Sequence, residues 1–362
     1  MHLDFENRLQ ARLAQLANKG LYRNTTVADS LKFDLCNRPY FIHDNLPIGK
    51  SADFNASGLS VCKSLQRKLE QELAIFLKTS DCLVLSSNCN VVEQIANVLL
   101  DKEDALITAT LETVNTKSTL HHFHQFDVDE LENKLQLSQA QHCRIVAVDA
   151  VSPITGAIAP MEHICNLANS YKATVLIDET NSLGVLGENG GGVSELFGVE
   201  QQVDIKVGSL YNLLGIQASF VAGSRLIIDA LRQGLCPLNF FGVSEQTAES
   251  ALSALQQLKT VDLTMPIQLT NYLIRKLYHS HFEILPTQSA ICAIEFDGEQ
   301  TANQLSIALI EQGIATIALS YPYASKGKSY LRTKLYNAMN EQDVELVAEI
   351  VTNAAKQQKV IE

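Results

Sequence analysis

Residues 172–224 hold two apolar runs that each stop at a polar turn, and this pattern narrows the available folds more than any other stretch. Val175-Leu176-Ile177 runs into Asp178, and Ile205-Lys206-Val207 runs into Gly208-Ser209. Short apolar runs bounded by turn residues read as strands buried on both faces. A third run, HCRIVAVDAV at 142–151, is apolar almost throughout. Strands alternating with helices at this spacing predict a mostly parallel α/β sheet with right-handed crossovers. In such a sheet ligands bind beyond the strand ends, where side chains and free backbone N–H groups converge. Asp178 and Ser209 are therefore expected to face one pocket.

The rest of the chain fits that scheme. Leu3, Leu9, Leu13 and Leu16 recur among charges, which predicts an amphipathic helix over 3–19 lying on a partner surface. Residues 30–60, with Pro39, Pro47, Gly49 and Gly58, read as irregular. Leu65, Leu69, Leu73 and Phe76-Leu77 share one stripe of a helix over 64–78. Further expectations are strands at 83–86, 105–108 and 173–177, and helices at 91–100, 161–171, 224–234 and 244–260. Pro266 marks passage to a smaller C-terminal domain with strands near 290–296 and 314–319. The expected division is an N-terminal helix and arm (1–45), a large domain (46–263) and a small domain (264–362).

Composition limits the partners. With 362 residues and 46% hydrophobic content, the chain can bury a large core. A formal charge of −12 argues against nucleic acid and anionic membrane surfaces. No run approaches the roughly 20 apolar residues of a bilayer span. The first residues, MHLDFENRLQARLAQLANKG, lack the apolar core of a signal peptide, so a cytoplasmic protein is expected. The eight cysteines (36, 62, 82, 89, 143, 165, 236, 292) include no CxxC pair and read as buried free thiols. His121, His122 and His124 form a cluster, but on a strand only His122 and His124 share a face, and no metal site is expected.

Two motifs carry a resemblance. The first is Asp178-Glu179-Thr180-Asn181-Ser182-Leu183-Gly184-Val185-Leu186-Gly187-Glu188-Asn189-Gly190-Gly191-Gly192, and the second is Val207-Gly208-Ser209-Leu210-Tyr211-Asn212-Leu213-Leu214. They resemble D-[DE]-[AS]-H-[GS]-x-G-x-x-G-x-x-G-x-G and V-[GT]-[TS]-[FL]-[GS]-K-[AG]-[FL] of the α-oxoamine synthases. These pyridoxal-phosphate (PLP) enzymes condense an amino acid with an acyl thioester and release carbon dioxide. The resemblance implies a fold type I PLP-dependent transferase: a mostly parallel large α/β domain with a smaller C-terminal α+β domain. It also implies a dimer whose sites lie at the interface.

The resemblance further assigns positions. Asp178 takes the place of the carboxylate facing the pyridine nitrogen, which makes the ring an electron sink. Asn181 replaces a cofactor-side histidine. Ser209 lies beside the cofactor, and Asn88 and Cys89 fall in the turn whose N–H groups hold the PLP phosphate. Thr113 falls where a stacking histidine is found, and Phe241-Gly242 falls where a hydroxyl reaches the partner's cofactor. Arg332, in Tyr330-Leu331-Arg332-Thr333, takes the place of the arginine that grips the amino-acid carboxylate as a fork. The Schiff-base lysine falls on Asn212. An amide nitrogen is neither nucleophile nor base near neutrality, and the nearest lysine, Lys206, stands within the strand.

These departures share one feature: each position touches the cofactor, whereas the framework glycines 184, 187, 190 and 192 remain. The sequence therefore reads as a pseudoenzyme with no catalytic residue and no covalently bound PLP. It is similar to the lysine-lacking subunit of serine palmitoyltransferase, which has S-F-G-V-L-G-E-H-G-R-G against residues 182–192. A homodimer, or a heterodimer with a lysine-bearing paralogue, is expected. The alternatives are an active acyltransferase of the 8-amino-7-oxononanoate synthase type working without a lysine Schiff base, and a binding module for another acyl or phosphate ligand.

Overall fold

The structure, a computed structural model, describes residues 3–20, 31–36, 38–42, 64–86, 90–109, 114–235 and 242–360. The chain divides into two compact units: 39–153 with 157–264, and 1–38 with 154–156 and 265–362.

The larger unit is built on a seven-stranded sheet. In chain order its strands are β1 (Asp81–Leu85), β2 (Ala105–Thr108), β3 (Thr119–His122), β4 (Arg144–Asp149), β5 (Thr174–Asp178), β6 (Ile205–Ser209) and β7 (Ser219–Gly223). Their spatial order is β1-β7-β6-β5-β4-β2-β3. β7 runs antiparallel to β1 and β6, and every other neighbouring pair is parallel. β1, β2 and β7 are buried along their whole length. That two-sided burial is why these strands do not alternate, being apolar but for Asp81, Thr108 and Ser219 at their ends.

Helices Val91–Leu99 and Arg225–Gly234 pack on one face, joining Val92, Ile95, Ile228 and Leu231 to Leu106, Ile145, Leu176 and Val221. Burying each such side chain contributes about 1.5–3 kcal/mol. Helix Ser64–Phe76 buries Leu69 and Leu73, and Leu77 follows just beyond it. The helix stops at Lys78, whose φ of 55° takes the chain out of helical geometry.

The smaller unit has an antiparallel sheet of β8 (Glu283–Ile284), β9 (Ile291–Asp297), β10 (Ile317–Leu319) and β11 (Lys328–Lys334), in the order β10-β11-β9-β8. Helices Met265–Leu277, Thr301–Glu311 and Glu341–Gln357 cover it through Leu273, Leu305, Leu309, Val347 and Val351. The last helix starts at a capping box formed by Asn340 and Asp343.

Three expectations need correction. The strand expected over 314–319 is two strands in different sheets: Ile314–Ala315 pairs with Phe33–Asp34, while Ile317–Leu319 pairs with β11. Thr316 between them is pinned to Ser306 by two hydrogen bonds, which turn the chain from one sheet to the other. Phe33–Asp34 also places a strand inside the segment read as irregular. The helix expected over 244–260 ends at Gln257 and tightens into a 3₁₀ turn over Leu258–Thr260. Helix Leu3–Asn18 forms as expected, and most described side chains on it are exposed. No helix among the described residues is long and apolar enough to cross a membrane.

Candidate functional site

The ends of β5 and β6 meet through a residue that sequence reasoning passed over. Asp178 ends β5 and pairs in register with Val207, so Ser209 lies two residues farther along β6. Thr180 joins them. Its backbone N–H donates to Asp178 Oδ1 at 2.7 Å, and its hydroxyl also bonds that carboxylate. The same hydroxyl oxygen accepts from Ser209 N at 3.0 Å. Burial pushes the Asp178 carboxyl above its usual range, and Glu179 adds to this, although both Thr180 contacts oppose it. The Ser209 hydroxyl caps helix Leu210–Leu214 by accepting from Tyr211 N at 3.2 Å.

Asn212 lies in that helix with 7% of its surface exposed. Its Nδ2 donates to the Thr180 carbonyl at 2.8 Å, and its own carbonyl accepts from Tyr40 N at 3.0 Å. The Tyr40 hydroxyl donates to the Asn181 carbonyl at 3.2 Å. Tyr40 and Phe41 are both fully buried. Gly184 sits beneath them at φ +81°, where a Cβ would come within 2.8 Å of both Phe41 and Leu213.

Two acids hold the glycine-rich loop, and neither stood out in the sequence. Glu179 is fully buried and accepts from Val193 N and Ser194 N at 2.9 Å each, and from the Ser182 hydroxyl. Glu195 accepts from Asn189 N, Asn189 Nδ2 and Gly191 N, and pairs with Lys78. Burial opposes its charge, but these donors, led by the Asn189 side chain, hold its carboxyl down to about 2. The only sequence signal was an acid at each end of a run of turns.

The remaining candidates are dispersed. Lys206 is fully buried inside the sheet; its Nζ donates to the Leu77 carbonyl at 3.0 Å, and burial pushes its ammonium pKa down. Asn88, Cys89, Thr113 and Phe241 lie outside the described residues. Arg332 lies on β11 in the smaller unit, opposite Ala293 and 7% exposed. The histidine reading is corrected: β3 ends at His122, so His124 lies beyond the strand, where its Nδ1 is 2.6 Å from Glu130 Oε2. The His124 backbone and ring hold the Glu130 carboxyl down to about 2. Among the described residues no three His, Cys, Asp or Glu side chains come together as metal ligands.

The donor set fits half of what PLP requires. A carboxylate favours a protonated ring nitrogen, and Asp178, half-buried at the end of β5, supplies one. A covalent imine requires a primary amine. Among the described residues that hold Asp178, Thr180 and Ser209 together there is none: the side chain that reaches the Thr180 carbonyl is an amide. These residues do not fit a covalently held cofactor.

Residues 65–351 match the family model described as aminotransferase class I and II. An 8-amino-7-oxononanoate synthase of Bacillus velezensis is 29% identical over 313 residues, covering 82% of this chain and 79% of that protein. The enzyme of the same name from Petrotoga mobilis is 26% identical, covering 95% and 96%. The human mitochondrial 2-amino-3-ketobutyrate coenzyme A ligase is 28% identical, covering 79% and 71%. Among solved structures, Sphingomonas wittichii serine palmitoyltransferase superposes with a TM-score of 0.83 at 21% identity, covering 99% of each chain. With the family model spanning residues 65–351 and relatives matched over most of their length, the chain belongs to the aminotransferase class I and II family in its α-oxoamine synthase branch.

Proposed function

We propose that this chain is a non-catalytic α-oxoamine synthase homologue that acts as a structural or regulatory subunit. Its partner is a lysine-bearing acyl-CoA:amino-acid C-acyltransferase of the serine palmitoyltransferase kind, and the pair works in the cytoplasm. One observation supports the reading: Asn212, which the resemblance sets at the place of the Schiff-base lysine, is 7% exposed with its amide donated to the Thr180 carbonyl. An amide cannot form an imine or shuttle a proton. Lys206 offers no substitute, because its amine is already bonded to the Leu77 carbonyl. Family sites at a dimer interface allow a silent subunit to complete its partner's site.

The test uses the purified chain with PLP, glycine, alanine or serine, and a series of acyl-CoA thioesters. The expected result is no visible imine band and no carbon dioxide or free thiol released; turnover by the single chain overturns the reading. Co-expression with a lysine-bearing paralogue should yield a heterodimer whose activity needs both chains. Asn212→Lys is expected to leave the chain inactive, since it places an ammonium in a site that is 7% exposed and removes the amide from the Thr180 carbonyl. Turnover assays and thermal melts of that variant check this.

A second reading is an acyltransferase of the 8-amino-7-oxononanoate synthase type that binds PLP without a lysine. The retained Asp178 carboxyl and the end-to-end match to the Petrotoga mobilis synthase favour it. A spectral titration with PLP and amino acid together separates the two: a saturable band that vanishes in Asp178→Asn supports the second.

A further inference from the structure

The glycine-rich loop contains Asn189-Gly190, a dipeptide in which the asparagine side chain is open to attack by the backbone nitrogen that follows it. Glycine has no Cβ to shield that nitrogen. Asn189 is exposed, and Gly190 is buried beside it at φ +76°. The Glu195 carboxylate clasps the dipeptide from both ends. Its Oε1 accepts from Asn189 Nδ2 at 2.9 Å, while its Oε2 accepts from Asn189 N at 3.0 Å and from Gly191 N at 2.9 Å. The Glu195 side chain is 8% exposed, so water competes little for these bonds. Gly190 N donates to the Gly187 carbonyl at 3.2 Å.

Both groups that would react are therefore tied down in the closed turn. The amide nitrogen that must leave is bonded to Glu195, and the backbone nitrogen that must attack is bonded to Gly187. Reaction requires the turn to open, so its rate follows the open fraction. We propose that Asn189 is a site of deamidation which the Glu195 clasp delays, and that conversion of its amide to a carboxylate undoes the clasp irreversibly.

The step balances with water as the only co-reactant. Gly190 N gives up its proton and bonds to Asn189 Cγ; the Cγ–Nδ2 bond breaks, and ammonia leaves with that proton. Water then opens the cyclic imide at one of its two carbonyl–nitrogen bonds, giving aspartate or isoaspartate. The side chain that led the donors to Glu195 is now an acceptor, and it carries a negative charge where Nδ2 stood 2.9 Å from Oε1. Like charges at that distance repel, and Lys78 already serves both Glu195 and Glu200. The turn is also tied to the candidate site. The Gly190 carbonyl accepts from Gly184 N at 2.8 Å, and Gly184 lies against Phe41 and Leu213, the neighbour of Asn212.

Ageing the full chain at mildly alkaline pH tests this, beside a free peptide of residues 187–192. Tandem mass spectrometry reads the mass gain of an amide NH2 replaced by OH, assigned to residue 189, and the isoaspartate formed. Conversion is expected to be at least about tenfold slower in the chain than in the peptide, and about tenfold faster in Glu195→Gln than in the chain, because each charge-assisted bond lost raises the open fraction by about that factor. Asn189→Asp should raise hydrogen exchange at the 189 and 191 amides about tenfold. If Glu195→Gln fails to fold, low urea takes its place, and conversion of the chain should rise as the turn opens. The proposal is overturned if chain and peptide convert at the same rate, if neither Glu195→Gln nor urea speeds conversion, or if Asn189→Asp leaves exchange at both amides unchanged. A negative result leaves the Asn212 reading untouched, because that reading is tested by turnover and PLP spectra.

Discussion

Replacing Glu179 by alanine is expected to destabilise the larger unit by roughly 2–6 kcal/mol, since the two buried N–H groups left without an acceptor cost about 1–3 kcal/mol each, while the Ser182 hydroxyl keeps the residue 179 carbonyl. Glu179 is fully buried, and three donors end on its carboxylate: Val193 N, Ser194 N and the Ser182 hydroxyl. Its backbone N–H adds a bond to the Val207 carbonyl, so the residue joins β5, β6 and the glycine-rich loop. Gly192 lies at φ +88°, and a Cβ there would run into the Glu179 carboxylate, so the loop is shaped to fit this acid. Glutamine is no remedy, because its amide would turn N–H groups toward N–H groups. Chemical denaturation should show the loss, and hydrogen exchange should show Val193 and Ser194 opening before β5. A variant with less than about 1 kcal/mol of loss and unchanged protection at both amides would refute the assignment.

The contrast between Glu179 and the glycines shows what the sequence could disclose. A glycine path announces itself because only glycine adopts those dihedral angles cheaply, which is a local rule. Apolar runs announce strands for the same reason, and the cores of β4, β5 and β6 were legible from 142–151, 175–177 and 205–207. Four hydrogen bonds of Glu179 and Thr180 reach residues 14 or more positions away, and no local period marks such contacts. Thr180 sat inside a quoted motif, yet nothing in its type distinguished the joint between Asp178, Ser209 and Asn212 from an ordinary turn residue. The split of 314–319 was hidden for a related reason: its six residues are continuous in pattern and divided only by their partners. His124 and Glu130 stand six apart across a strand end and a helix start, a spacing that neither a strand nor a helix period would pair.

Arg232→Met should be nearly as damaging, at about 3–5 kcal/mol, the usual cost of removing one partner from a buried ion pair. Glu70 is fully buried in helix Ser64–Phe76 and accepts from Arg232 at 2.9 Å, from Arg67 at 3.1 Å and from Val84 N at 3.1 Å. Arg232 also donates to the Cys82 carbonyl, and Arg67 reaches on to Asp81. The network therefore fastens β1, an edge strand of the sheet, to a helix on each side of it in sequence. With Arg232 gone, Glu70 keeps a single guanidinium whose side chain is 36% exposed, and the Cys82 carbonyl loses its donor. Removing both charges should cost less than removing one, because the double variant Glu70→Met/Arg232→Met leaves no uncompensated buried carboxylate. A double-mutant cycle by urea denaturation measures this. If the two single losses simply add in the double variant, the Glu70–Arg232 pair is not coupled and does not fasten β1.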